Sequence, residues 1–419
     1  MNILVIHQNF PGQFRHLCIH LSQRGDVALR AIGRRTAPGL PGIELLRYDL
    51  HREPTKGVHH YVTGFERAVL YGQAVARVLQ RLKGEEFVPD VVLAHPGWGE
   101  TLFVKDVFPS ARLIHFCEFF YRAEGADADF DPSAPLQFDD RARITARNAL
   151  HLLNLELCDA GVTPTSWQKQ LHPVAYRHKI HLVHEGIDTE NLGPLADATL
   201  DLPDGTCLRQ GEEIVTYVAR NLEPYRGFPS FMRALPAILA ARPKARIVIV
   251  GGDEVSYSRR PKDATTWREK LLAELALTEA QLARIHFLGR VPYPVFCKLL
   301  QVSAAHVYLT YPFVLSWSML EAMASGCLVI GSKTAPVEEV IEPGRNGLLV
   351  DFFDSAALAK TVCEVLEDPK RFDHLRAAAI ETVRARFNLK GGLQGYLDLL
   401  GLPAGDSVSR QAEIAASSC

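Results

Sequence analysis

Short β-branched apolar runs alternate along this chain with longer stretches whose apolar positions recur at helical spacing. Residues 3–6 precede a helix from about Phe14, residues 90–94 precede a helix from about Glu100, and residues 113–116 form the next run. Buried strands joined by amphipathic helices predict βαβ units and a parallel sheet. The pattern starts again at residues 214–218, continues through a helix over 228 to about 241, and then through runs at 246–250, 285–287, 306–309 and 328–330. Two α/β sheets of the same kind are expected.

Between the two halves, residues 180–183 lead into His184-Glu185-Gly186-Ile187-Asp188 and a stretch rich in Pro, Asp and Gly. The expected division is an N-terminal domain over 1–192 and a C-terminal domain over 193–385. A helix over 386–402 follows, then a small, polar tail over 403–419 that is expected to fray. The length of 419 residues suits two domains, each with its own core.

Charge changes the picture only by exclusion. A formal net charge of −2 leaves no global field to recruit nucleic acid. No apolar stretch approaches the roughly 18 residues of a spanning helix, so any membrane contact would be peripheral. The opening Met-Asn-Ile-Leu-Val-Ile-His-Gln lacks the basic start and apolar length of a signal peptide and reads as a first strand. Eight cysteines without a C-x-x-C pair fit reduced thiols in a cytoplasmic protein, with no structural metal.

Candidate chemistry sits where strands run into loops. The first strand opens into His7-Gln8-Asn9-Phe10-Pro11-Gly12, and Gly12 would allow backbone to approach a diphosphate, since ligands of open α/β sheets collect at strand carboxyl ends. An ordinary strand-to-helix turn reads equally well. The G-x-G-x-x-G spacing of a dinucleotide site is absent, which disfavours a nicotinamide enzyme and leaves no cofactor implied. Arg220 and Arg226 share one loop after the first strand of the second half, and guanidinium groups grip phosphate oxygens with a planar fork. Farther on, a strand runs into Tyr311-Pro312-Phe313-Val314-Leu315-Ser316, where a helix is expected to begin and to stop at Gly326. Amides from Leu315 and Ser316 onward would face a phosphate, and Glu321 would accept from ribose hydroxyls. His95 and Trp98 end another strand as either packed residues or sugar contacts. Asp127, Asp129 and Asp131 have D-x-D spacing but lie in a Pro-rich loop and read as solvated rather than as metal ligands.

Taken together, these residues resemble the retaining glycosyltransferases of family 4, the glycosyl transferases group 1. The similarity runs through Arg220 and Arg226-Gly227, Ile249-Val250-Gly251-Gly252, Phe287-Leu288-Gly289-Arg290-Val291-Pro292, Leu320-Glu321-Ala322-Met323-Ala324-Ser325-Gly326 and Asn346-Gly347-Leu348-Leu349-Val350. The resemblance implies the GT-B architecture: two Rossmann-like, doubly wound parallel-sheet domains facing a central cleft, the C-terminal one holding a nucleotide-sugar donor and the final helix returning to the first. It implies Arg220 and Arg226 on the diphosphate with Gly12, Glu321 on the ribose, and Arg290 and Val291 at the base. In the family the second basic residue is usually lysine, and the spacing here is one residue longer. Two further positions depart. The first glutamate of the family's E-x7-E motif is replaced by Phe313, and Glu118 stands where many relatives carry a histidine near the reaction centre. Glu118 is therefore expected beside the reacting sugar, and His95, Trp98 and Phe313 at the donor sugar or the acceptor.

The implied activity is metal-independent transfer with retention, in the cytoplasm or at the inner face of the membrane. A UDP-sugar is favoured over a GDP-sugar, and the acceptor is a glycan, glycolipid or protein hydroxyl. A sugar-nucleotide epimerase on the same scaffold is the alternative enzyme, distinguished by donor isomerisation without acceptor. Because Phe313 removes a family carboxylate, a nucleotide-sugar-binding scaffold without turnover is the non-enzymatic alternative.

Overall fold

The computed structural model describes residues 1–403, and the chain divides into two compact units. Met1–Gly186 forms the first together with the segment that begins at Lys390, and Ile187–Leu389 forms the second. Ile187 and Leu192 are buried among Met319, Leu320 and Met323, which explains why the second unit begins six residues before the expected position 193. Apart from Pro403, the tail expected to fray lies outside the described residues.

The first unit is built on seven strands: β1 (Asn2–Ile6), β2 (Ala28–Arg34), β3 (Glu44–Tyr48), β4 (Val91–Ala94), β5 (Arg112–Phe116), β6 (Ala160–Thr163) and β7 (Ile180–Leu182). They pair in parallel in the order β3-β2-β1-β4-β5-β6-β7. Central strands β1 and β4 are apolar on both faces, as a sheet covered by helices on each side requires. The long helix Thr63–Gly84 supplies much of one cover, burying Val75, Val78, Leu79 and Leu82 against Leu4, Val92 and Leu113. Helix Leu389–Leu400 packs by its glycines: a Cβ on Gly392 would meet the backbone of His184 and Glu185 within 2.9 Å.

In the second unit, the hairpin β8 (Thr199–Asp201) and β9 (Cys207–Arg209) precedes β10 (Ile214–Asn221), β11 (Arg246–Gly252), β12 (Ile285–Gly289), β13 (Ala305–Tyr308), β14 (Leu328–Ser332) and β15 (Leu348–Val350). The last six form a second parallel sheet in the order β12-β11-β10-β13-β14-β15. The order reverses at β10 and β13, the place where an open α/β sheet leaves a crevice for ligands.

One expected helix is corrected. From Glu100 the chain continues through turns and makes only the single helical turn Val104–Val107. Gly99 adopts a positive φ of 105° against Ala68, and Glu100 turns its carboxylate inward to accept from Tyr48 Oη at 2.7 Å and Gln8 Nε2 at 3.1 Å. A helix starting there would have to pull that buried carboxylate out. Strands β2 and β3 and the helices Thr63–Gly84 and Phe138–Leu157 are additions to the elements expected from the sequence. Among the described residues no helix is long and apolar enough to cross a membrane.

Candidate functional site: an arginine and aromatic cluster in the second unit

The carboxyl ends of β10 and β13 bring two loops together. Arg220 lies at the end of β10, exposed, with no side-chain partner among the described residues. Arg226 is partly buried and fixed. Its Nη1 donates to Thr310 Oγ1 at 2.8 Å and to the Val314 carbonyl at 3.0 Å. Its backbone is held as well, because Tyr217 Oη donates to the Arg226 carbonyl at 2.7 Å. Gly227 follows with φ +70°, and a Cβ there would lie 2.3 Å from Leu309 Cβ, so only glycine lets this loop close onto β13. Neither guanidinium has a carboxylate partner among the described residues.

The guanidinium of Arg226 faces aromatic rings, 5.7 Å from the centroid of Tyr257 and 5.9 Å from that of Phe313. Phe313 is buried, 4.8 Å from Tyr257 and edge-on to Tyr225 at 5.4 Å. Tyr225 stacks on Tyr311 at 4.6 Å, and Tyr311 meets Phe352 at 5.1 Å. The position where the family would carry a carboxylate is thus one face of an aromatic cluster beside a cation.

Helix Trp317–Ala324 begins where expected, capped by Ser316, whose Oγ accepts from the Ser318 amide, and Gly326 follows its end with φ +82°. Two of the amides expected to be open for phosphate are occupied: Ser316 N donates to Tyr308 Oη at 2.8 Å and Ser318 N to Ser316 Oγ at 3.3 Å. Glu321 lies in the second turn of this helix, only 8% exposed, and accepts from Tyr293 Oη at 2.9 Å. Burial pushes its carboxyl up to about 7, and the Tyr293 hydrogen bond pulls the other way. A carboxylate left with one partner in a dry place favours a ligand that brings hydroxyl donors. Arg290 leans over the β10 loop, donating from Nη2 to Asn221 Oδ1 at 3.1 Å, and Gly252 leaves it room: a Cβ there would sit 3.0 Å from Arg290 Nε. Val291 is partly buried against the core and offers no polar side chain.

In the first unit Gly12, His95, Trp98 and Glu118, all expected near the ligand, fall around one cluster at the carboxyl ends of β1, β4 and β5. His95 stacks on Trp98 at 4.4 Å between centroids and lies 5.4 Å from His7. The Gly97 amide donates to His95 Nδ1 at 3.2 Å, which leaves Nε2–H to donate to Glu118 Oε2, also at 3.2 Å. His7 is held in the same tautomer: Asn9 N donates to Nδ1 at 3.0 Å, and Nε2 lies 2.9 Å from Gln13 Oε1. Burial, then the neighbouring His95, drives the His7 ring down to about 3, so it stays neutral. Gly12 has φ +52°, and a Cβ there would fall 2.4 Å from the His7 ring. The glycine is therefore required by the histidine beneath it.

The D-x-D loop is corrected in part. Asp127 is buried rather than solvated, while Asp129 accepts from the Gly125 amide and Asp131 from Ser133. Sequence reading also missed Tyr225, Tyr257, Tyr293 and Glu223. The available signal for Tyr257 is loop length: the connection 253–266 between β11 and helix Trp267–Glu274 is long enough to suggest a working loop. Nothing in the pattern marks Tyr293 as the partner of Glu321, because the two meet only in the folded chain.

A family described as glycosyl transferase family 4 group matches residues 25–192, and one described as glycosyl transferases group 1 matches residues 212–368. The chain is 24% identical over 207 residues to D-inositol 3-phosphate glycosyltransferase of Streptomyces avermitilis, covering 47% of this chain and 41% of that protein. It is 28% identical over 177 residues to the GDP-mannose-dependent monoacylated alpha-(1-6)-phosphatidylinositol monomannoside mannosyltransferase of Corynebacterium glutamicum, covering 40% and 42%. These matches span less than half the length of either relative. Among solved structures, sucrose-phosphate synthase from Thermosynechococcus elongatus superimposes with a TM-score of 0.69 at 18% identity over 96% of this chain and 98% of that one. HepE from Anabaena in complex with UDP-glucose gives 0.67 at 16% identity over 96% and 99%. Two parallel-sheet Rossmann-like domains, each matched by a glycosyltransferase family, place this chain among the family 4 glycosyltransferases of the GT-B fold.

Proposed function

We propose that the chain is a retaining, metal-independent glycosyltransferase that moves a sugar from a nucleotide-sugar donor, UDP-linked in preference to GDP-linked, to a hydroxyl of a glycan, glycolipid or protein. The observation that carries this reading is the pair Arg220 and Arg226: two guanidinium groups at the carboxyl ends of β10 and β13 without a carboxylate partner among the described residues. Guanidinium charge on the loop after β10, together with a buried glutamate on the helix after β13, fits a ligand with a diphosphate at one end and a ribose at the other. The names of relatives point to inositol-based acceptors and to sugar nucleotides, UDP-glucose in one and GDP-mannose in another.

In this reading the Arg226 guanidinium, with one nitrogen anchored on Thr310 and Val314, turns its remaining N–H groups to the β-phosphate, and Arg220 closes from the open side. The bond between the anomeric carbon and the phosphate oxygen breaks through an oxocarbenium-like state, and negative charge grows where the guanidinium charge is already fixed. The acceptor oxygen bonds to the same face of the anomeric carbon, and its proton passes to the departing phosphate oxygen. Glu321 holds the ribose hydroxyls, and Arg290 lies at the base end. The two arginines supply the positive charge that a metal ion brings in other transferases, so no metal is required. The protein works in the cytoplasm, in contact with the inner membrane face where its acceptor is a lipid.

A panel of UDP-, GDP-, ADP- and dTDP-sugars tests the reading by thermal shift and slow donor hydrolysis. One base should raise the melting temperature and release its diphosphate; no shift and no hydrolysis with any donor would overturn the proposal.

A further inference from the structure

The connection 253–266 is tied down at one point by a buried carboxylate. Glu223 is buried and accepts from the Ser256 amide at 3.1 Å, the Tyr257 amide at 3.0 Å and the Ser258 amide at 2.7 Å. Two side-chain bonds close the same junction: Asn221 Nδ2 donates to Ser256 Oγ at 2.7 Å, and the Tyr225 amide donates to Ser258 Oγ at 3.2 Å. A carboxylate collecting three successive amides is a strong anchor, because each bond is charge-assisted and the carboxylate has no other route to solvation. The residue held at the centre of this anchor is Tyr257. Its ring lies against Arg226 and Phe313, yet it remains 43% exposed, and its hydroxyl has no partner among the described residues. Phe313, Tyr311 and the core-facing rings of the same cluster are buried. Of the two rings that face the Arg226 guanidinium, Tyr257 is thus the one open to a ligand.

We propose that Tyr257 is a specificity-determining residue for the sugar of the donor, and that Glu223 is the positioning residue that holds it there. The inference rests on the reading of Arg226 as a diphosphate contact, since that contact brings the sugar end of the donor beside the Tyr257 ring. With Phe313 in place of a carboxylate, this side of the site offers the sugar a ring face instead of an anionic acceptor. A ring face attracts the apolar C–H face of a pyranose and discriminates by which hydroxyls are turned away from it. Glu223 acts only through the loop: it keeps the ring in one place, so that discrimination does not depend on ordering a long connection at the moment of binding.

Calorimetry on the full chain separates these roles, using UDP with UDP-glucose and UDP-galactose or, where GDP is the base that binds, GDP with GDP-mannose and GDP-fucose. Tyr257→Ala should change the ratio of affinities for the two sugar donors by about tenfold or more while affinity for the bare diphosphate stays within about threefold. Tyr257→Phe keeps the ring and should restore the wild-type ratio. Glu223→Gln should shift the ratio in the same direction as Tyr257→Ala, and the double variant should add nothing further, because both act through one ring. An unchanged ratio in Tyr257→Ala would overturn the proposal, as would equal losses for the bare diphosphate and both donors. Failure of the wild type to bind any diphosphate or donor would instead overturn the reading of Arg226, and this inference with it.

Discussion

At the carboxyl ends of β1, β4 and β5 histidines and carboxylates meet one another; at the ends of β10 and β13 arginines meet aromatic rings. The first cluster pairs most of its polar groups internally, although Glu100 Oε2 is buried without a hydrogen-bond partner among the described residues. His7 is bonded at both ring nitrogens and neutral, His95 is bonded to Gly97 and Glu118, and Glu100 is bonded to Tyr48 and Gln8. The second leaves charge open, with Arg220 unpartnered among the described residues and Arg226 facing π-systems that do not neutralise it. Two sheets of the same construction therefore differ in what they ask of a ligand. A surface of histidines bonded to carboxylates suits hydroxyl groups, and a cation without a carboxylate partner suits phosphates.

The sharpest way to break this contrast is to remove the fixed cation. Arg226→Ala should lower kcat/KM by about two to three orders of magnitude, on the order of 2.7–4 kcal/mol of barrier, with folding intact by circular dichroism. Arg220→Ala should act in the same direction. Normal turnover in both variants would remove the division between a cationic and a histidine–carboxylate site.

Glu321 sharpens the contrast from the side of pH. Its carboxyl rises from the usual range to about 7 in the folded protein, so its neutral form is the one that folding favours. That stabilisation is complete below the unfolded value near 4.5 and is lost as pH rises through about 7, amounting to about 3 kcal/mol between the two limits. Glu321→Gln should thus be more stable than wild type at pH 8 in urea titrations and equal to it at pH 4. The same variant should bind the nucleoside diphosphate more weakly at pH 8, by about 1.5–3 kcal/mol for lost charged hydrogen bonds. Stability and binding falling together at pH 8 would mean that the carboxylate is a structural ion instead.

Smaller effects belong to the histidine–carboxylate cluster. Glu118→Gln keeps an acceptor for His95 Nε2–H and should leave diphosphate affinity unchanged within about twofold while slowing transfer by about tenfold. A loss of diphosphate affinity equal to the loss of rate would assign Glu118 to the donor phosphates. The smallest effect is expected from chelation: EDTA-treated enzyme should keep its rate within about twofold, since the arginines carry the charge that a metal would supply. Dependence on added manganese or magnesium would count against that division of labour.

The βαβ repeats were legible because apolar runs of four or five residues recur at strand length, and because Ser316 and Gly326 mark helix boundaries by chemistry that the fold obeys. The arginines and Glu321 stand out for a different reason, their order along a family pattern, and their roles remain part of the proposal. Around residue 100 local pattern failed, since the carboxylate of Glu100 answers to Tyr48 and Gln8, which only the sheet brings near. For the same reason neither the meeting of His95 with Glu118, nor the anchoring of Tyr257 by Glu223, could be read from spacing: their partners lie 23 and 34 positions apart. Phe313, expected at the donor sugar or the acceptor, is buried in the structure yet lies against the guanidinium that the donor would meet.

The central claim is that the open cation of the second unit is built for a diphosphate, and calorimetric titration of UDP and GDP into wild type and Arg226→Ala tests it most directly. Wild type should bind one of the two, and the variant should bind it about tenfold or more weakly, as the loss of charge-assisted hydrogen bonds requires. Equal affinity in the two proteins, or no affinity for either diphosphate in wild type, would contradict it.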